Sequence, residues 1–179
     1  MAIELANHIY RDGEGVPVVL MNAYPVDHRM WDVCAKALAD FADLNDVPDF
    51  PIWAPDMAGS GASPVPSDAD SGPRMANGAY SEALDRLAGA YVDLIKAAGY
   101  EQAIWVGLSM GGYVALAFCE RHPEMLDGLV LFSSTPNADT EEKRENRRRE
   151  IALVRAGKKE QLARVAPGAG SAPDNRQRM

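Results

Sequence analysis

The sequence is short of basic residues, and this shortage excludes two classes of partner. Lys and Arg number 18 against 26 Asp and Glu, so the formal net charge is −8 at pH 7. Nucleic acids and anionic membrane surfaces attract basic proteins, and the acidic balance therefore argues against both. No apolar run approaches the roughly 20 residues that a membrane-spanning helix needs. We expect a small-molecule partner and no contact with nucleic acid or membrane.

Cysteine and histidine are also scarce. Only Cys34 and Cys119 occur, both in predicted helices, and we expect two buried free thiols. The N-terminal residues lack the charged and apolar segments of a signal peptide, so a reducing, cytoplasmic location is expected. The two cysteines and three histidines have no spacing typical of a metal site. We therefore expect no metal and no organic cofactor.

Apolar runs alternate with segments of helical periodicity. The pattern predicts strands at 16–21, 52–54, 103–107 and 128–133 and helices at 28–41, 81–98 and 110–121. Ser81 is expected to cap the second helix and Gly99 to end it, while residues 55–80 are predicted to form a loop. This alternation predicts an α/β fold with a mostly parallel sheet and flanking helices.

One polar residue interrupts the apolar segment AIWVGLSMGGYVALAF at 103–118. Gly107, Ser109 and Gly111 match G-x-S-x-G, the pattern of a sharp strand-to-helix turn that holds a serine nucleophile at its apex. The same turn aims the backbone N–H of Met110 at the position of a developing oxyanion. The alternative is that Ser109 is only a helix cap.

Four segments in order resemble the α/β-hydrolase superfamily, in particular its carboxylesterases and enol-lactone hydrolases. They are VVLMNAYPVDHRMW, APDMAGSGAS, WVGLSMGGYVAL and LVLFSSTP, at 18–31, 54–63, 105–116 and 129–136. The resemblance implies that Ser109 is the nucleophile and that the N–H groups of Met110 and Tyr24 form the oxyanion hole. It also implies a structural loop shaped by Asp56, Gly59 and Gly61, and no cofactor. Asn22-Ala23 stands where the family usually has His-Gly, so a positive φ there would strain the alanine.

The catalytic partners of Ser109 are not found in the expected order, which is serine, acid and then histidine. His122 is the only later histidine, and 13 residues of helix place it roughly 20 Å away, where it ends the helix. Asp127 falls at the wrong end of its strand, and Asp139 is expected to cap a helix. His28 is a candidate for lining the substrate pocket, and His8 is given no role.

The sequence changes character after Pro136. Residues 139–165 are helical and heavily charged, with Gly157 expected to separate two helices and the arginines to face solvent. We interpret 1–136 as the N-terminal part of an α/β-hydrolase core and 137–179 as the start of a helical cap with a loose tail. The fold is therefore expected to be truncated before its last strands, with an exposed sheet edge, and the chain to be poorly active.

Three functions remain open at this point. The first is a serine hydrolase of small esters, lactones or other acyl compounds. The second is a non-catalytic α/β-hydrolase-like binding module, which the absent histidine favours. The third is a doubly wound nucleotide-binding domain, which is disfavoured because no G-x-G-x-x-G follows the first strand.

Overall fold

A computed structural model describes residues 3–158, 160 and 161, which divide into two compact units at Pro136 and Asn137. The first unit contains five strands: β1 (Ile9–Arg11), β2 (Val18–Met21), β3 (Ile52–Trp53), β4 (Ala103–Leu108) and β5 (Leu126–Phe132). Its helices are α1 (Asp32–Leu44), α2 (Asp68–Ser71), α3 (Ala83–Ala97) and α4 (Met110–Arg121), with 3₁₀ turns at His28–Trp31 and Pro123–Met125. The second unit contains α5 (Glu141–Arg155).

The five strands form one sheet in the order β1-β3-β2-β4-β5. β2, β3, β4 and β5 are parallel, and only β1 runs antiparallel, beside β3. The predicted α/β class with a mostly parallel sheet is confirmed. The carboxyl ends of the four parallel strands lie at the same edge of the sheet, so the residues that follow them are brought together.

Helices pack on both faces of the sheet, which explains why β2 is apolar throughout. Val19 and Met21 join a core with Tyr91 of α3 and Phe118 of α4. Their neighbours on the strand point to the opposite face and join a second core beneath α1, whose members are Val18, Leu20, Trp31, Ala35, Ile52, Ala54 and Val106. Successive side chains of a strand alternate between faces, so a central strand covered on both sides has no polar position.

Several local expectations are wrong in detail. β1 was not predicted, and the expected loop 55–80 contains α2. The residue capping α3 is Glu82 rather than Ser81, and it makes no side-chain capping bond. Cys34 is exposed and Cys119 is half-buried, because each lies on a helix face turned partly away from the sheet. Gly99 does follow α3 with a φ of +86°, as its role as a helix stop requires.

The second unit is a charged helix, of which residues up to 158 and 160–161 are described. Thr140, not Asp139, caps α5 by accepting a hydrogen bond from the Lys143 backbone N–H, while Asp139 pairs with Arg147. Glu145 and Arg149 form the expected pair one turn apart, at 3.7 Å. α5 ends before Gly157, whose φ is +72°. The expected tail lies outside the described residues, and the interpretation of this unit as part of a cap remains a prediction.

None of the described helices combines the length and apolar character that crossing a membrane would require.

Candidate active site

Ser109 occupies the turn between β4 and α4 in a strained backbone conformation. Its φ is +53° and its ψ is −108°, a region that residues with a side chain rarely adopt. Ser109 holds the N-cap position of α4, but its side chain makes no capping hydrogen bond to the helix, which disfavours the alternative that it serves only as a cap. The strain therefore has no capping role to explain it, and strain of this kind concentrates at functional turns.

The end of β5 holds this turn in place. The N–H of Ser109 donates to the carbonyl of Phe132 at 2.9 Å, and the hydroxyl of Ser134 donates to the carbonyl of Ser109 at 3.0 Å. The N–H of Gly112 reaches the same carbonyl at 3.1 Å. Both backbone polar groups of the strained residue are thus satisfied, which fixes its orientation.

The two glycines of G-x-S-x-G are required by close packing. A Cβ on Gly107 would lie 2.6 Å from the Cα of Gly112, and one on Gly111 would overlap the carbonyl oxygen of Met21. The start of α4 therefore lies directly against the carboxyl ends of β2 and β4. No residue larger than glycine fits at either position without a shift of the backbone.

A pocket of about 320 Å³ opens beside the start of α4. Met110 and Tyr24, whose N–H groups are the predicted oxyanion donors, both line it. The remaining lining comes from the segments after β2 and β3, namely Asn22, Ala23, Pro25, Val26, Asp27, Met57, Ala58, Gly59, Ser60 and Gly61. Two of the segments that resemble the family, the oxyanion segment at 18–31 and the loop at 54–63 that contains Asp56, therefore form walls of one pocket.

Asn22 links these two walls, a role that the sequence did not reveal. Its side chain is buried, accepts a hydrogen bond from the Met57 N–H at 2.9 Å and donates to the Ser60 hydroxyl at 3.3 Å. It also donates to the carbonyls of Ala23 and Val26. Ala23 does not have a positive φ, so the strain expected for an alanine at this position is absent. The only local signal for Asn22 was its position directly after an apolar strand.

Asp56 is the second link between the walls. Its buried carboxylate accepts hydrogen bonds from the N–H groups of His28 and Ala62, both at 2.8 Å, and from the rings of His28 and His8, at 2.9 and 3.1 Å. Burial alone would raise the pKa of Asp56, but these donors outweigh it and hold the pKa below its usual value. Asp56 is therefore a buried, ionised anchor that ties together the two segments lining the pocket.

None of the three histidines occupies the position of a base beside Ser109: two contact Asp56 and the third ends α4. The ring of His28 turns toward Asp56, and His28 is absent from the lining of the pocket described above. His8, which was given no role, faces the same carboxylate. His122 ends α4 as expected. Asp127 lies exposed within β5, away from the carboxyl end of the strand.

Comparison with known proteins identifies the family. The family described as alpha/beta hydrolase fold matches residues 16–154. This chain belongs to it. The nucleotide-binding alternative is therefore wrong.

Individual α/β-hydrolases extend the comparison. The chain is 41% identical over 134 residues to 2-hydroxymuconate semialdehyde hydrolase of Pseudomonas putida, covering 75% of this chain and 42% of that protein. It is 30% identical over 125 residues to epoxide hydrolase 1 of Caenorhabditis elegans, covering 69% and 26%. A thermophilic esterase of Thermogutta terrifontis, solved with malate bound, superposes with a TM-score of 0.71 at 31% identity, covering 90% and 52%. The chain thus spans about half the length of this esterase and less than half of the two other relatives.

Proposed function

We propose that this α/β-hydrolase chain carries the nucleophile and oxyanion hole of a serine hydrolase of small esters, lactones or related acyl compounds. The observation that carries the proposal is the strained backbone of Ser109, whose side chain makes no capping hydrogen bond. Ser109 immediately precedes Met110, which lines a pocket together with Tyr24. A serine held in this way suits attack on a carbonyl carbon, and esterases and other hydrolases among the similar proteins agree with that chemistry.

The proposed reaction has two steps. The Ser109 hydroxyl oxygen attacks the substrate carbonyl while a base takes its proton, and the N–H groups of Met110 and Tyr24 stabilise the oxyanion. The carbon–oxygen bond to the alcohol breaks, and the base returns the proton to the leaving alcohol. Water then attacks the acyl-serine in the same way, which releases the carboxylic acid and restores Ser109.

The base and its orienting acid are proposed to come from outside residues 1–179. Within the described residues the only histidine after Ser109 is His122, which ends α4. Because the serine and oxyanion hole retain some rate enhancement without the base, we expect slight activity from this chain alone.

The test compares the chain with the full product of its native locus on p-nitrophenyl acetate and butyrate, with the intact mass of each measured. We expect the native product to be longer, to hydrolyse both esters and to lose at least about a thousandfold in kcat in Ser109→Ala. Ser81→Ala, an exposed serine of the first unit, is the matched control and should retain wild-type activity.

The second candidate is a non-catalytic binding module. It is favoured by the distance of His122 from the pocket and by the engagement of His8 and His28 with Asp56. If the native product ends at Met179 and Ser109→Ala hydrolyses both esters as the wild type does, the catalytic proposal fails and the binding module takes its place.

A further inference from the structure

Three segments far apart in the sequence bring potential metal ligands together outside the proposed catalytic machinery. His8 precedes β1, His28 begins the 3₁₀ turn that leads into α1, and Asp56 follows β3. One ligand atom from each lies within 4.8 Å of the other two. Among the described residues, no other group of three histidines, cysteines or carboxylates meets this condition.

The two histidine–carboxylate separations within this cluster match those of neighbouring ligands around one ion. Nε2 of His8 lies 3.1 Å from one carboxylate oxygen of Asp56, and Nδ1 of His28 lies 2.9 Å from the other. Two ligands bound at about 2.0–2.1 Å to a common zinc ion are roughly 3 Å apart when they subtend about a right angle. Two imidazoles and one carboxylate also form a donor set that suits zinc, copper or nickel rather than magnesium or calcium.

The surroundings hold the carboxylate as a metal ligand requires. The N–H groups of His28 and Ala62 each donate to Asp56, so the carboxylate stays oriented when the histidine rings exchange their hydrogen bonds for metal bonds. The carboxylate is ionised, which supplies the negative charge that a divalent cation needs. Asp56 is buried, while the His8 side chain is one-third exposed and gives an ion access from solvent.

We propose that His8, His28 and Asp56 form a binding site for one divalent transition-metal ion of the zinc–copper class, with solvent in the remaining positions. The two histidine rings stack on each other, with centroids 3.3 Å apart and planes 13° apart. Binding therefore requires the more exposed His8 ring to turn so that its Nε2 lone pair points at the shared ion. The site is structural in character, because it joins the N-terminal segment to both walls of the pocket.

This proposal does not depend on catalysis by Ser109. Its test uses untagged protein with Cys34→Ser throughout, because the exposed thiol of Cys34 would also bind these metals. Zn²⁺ affinity is measured by calorimetry, and Cu²⁺ coordination is measured by electron paramagnetic resonance. The variants are His8→Gln and His28→Gln, and His122→Gln is the matched control because His122 lies at the end of α4.

We expect one Zn²⁺ per chain, a Cu²⁺ spectrum with hyperfine splitting from two nitrogens, and a higher thermal midpoint with Zn²⁺ present. His8→Gln should weaken Zn²⁺ binding at least about tenfold, and its Cu²⁺ spectrum should show splitting from one nitrogen instead of two. His122→Gln should match the parent protein in both measurements. Circular dichroism checks that each variant is folded, and the exposed His8 makes its variant informative even if His28→Gln unfolds. Absence of stoichiometric binding, or equal binding by folded His8→Gln, would overturn the proposal.

Discussion

At the residue scale, the surroundings of Gly111 leave no room for a side chain. The strained backbone of Ser109 has hydrogen-bonding partners at both its N–H and its carbonyl. Gly111, by contrast, lies against the carbonyls of Met21 and Asn22, where any side chain meets backbone atoms. If these atoms belonged to a flexible side chain, they could move aside for an added Cβ. They are backbone atoms at the end of β2, and β2 is held between β3 and β4 in the sheet.

Gly111→Ala is therefore expected to destabilise the chain. The added methyl group forces α4 away from β2, and overpacking of this kind costs about 1–3 kcal/mol. The free energy of unfolding, measured by urea denaturation, should fall by that amount.

Gly89→Ala is the control for this substitution. Gly89 lies inside α3, and a Cβ there meets nothing within 4 Å. Alanine favours the helix, so this variant should gain about 0.5–1 kcal/mol. Equal effects of the two substitutions would contradict the close approach of α4 to β2.

At the scale of elements, an ion pair stabilises the segment that follows β2. Asp27, whose side chain is mostly buried, accepts from Nε of Arg29 at 2.9 Å and from its terminal nitrogen at 2.6 Å. The side-chain hydrogen bond to Arg29 lowers the pKa of Asp27 to about 2. Asp27 also accepts from the Arg29 N–H as the N-cap of the 3₁₀ turn.

Asp27→Asn tests this contribution through its pH dependence. A carboxyl whose pKa is depressed in the folded state stabilises that state above its unfolded pKa of about 3.9, and the stabilisation is lost as the pH falls toward 2. The substitution should cost about 1 kcal/mol near pH 6, a value reduced for screening because the Arg29 guanidinium is exposed. Asparagine keeps an oxygen that can accept the capping hydrogen bond from the Arg29 N–H, so the loss of stability measures the contribution of the Asp27 charge.

The measurement is the free energy of unfolding of both proteins at several pH values between 6 and about 3. In an Arg29→Gln background, where the pKa of Asp27 returns toward its ordinary value, Asp27→Asn should have little effect at any pH. A loss that stays constant across the pH range would exclude ionisation of Asp27 as its cause.

The elements differ in how far the sequence reveals them. The strand-to-helix turn at Ser109 could be predicted because its strand, glycines and helix are contiguous between 103 and 118. β1 was missed because three residues at a sheet edge carry too short a pattern, and α5 begins one residue later than expected because Asp139 and Thr140 can both cap a helix. The contacts of His8 and Asn22 were missed because they join segments that only the folded sheet brings together.

At the scale of the whole molecule, β5 is an edge strand with an apolar surface. It pairs with β4 on one side, and no other described strand is hydrogen-bonded to its second side. Val130 is 40% exposed and Phe132 is 47% exposed. Unpaired backbone groups beside exposed apolar side chains favour pairing with another chain.

We therefore expect the 179-residue chain to self-associate through β5, with a second copy as the partner. Sedimentation velocity over a range of concentrations should give a mass that rises with concentration.

Val130→Lys should shift this equilibrium toward the monomer, because a lysine on an edge strand opposes strand pairing. Val65→Lys is the control, since Val65 is 81% exposed but lies outside every strand. If both lysine variants associate as the parent does, the chains associate through a surface other than β5. If the parent stays monomeric at every concentration, the β5 edge does not pair with a second copy.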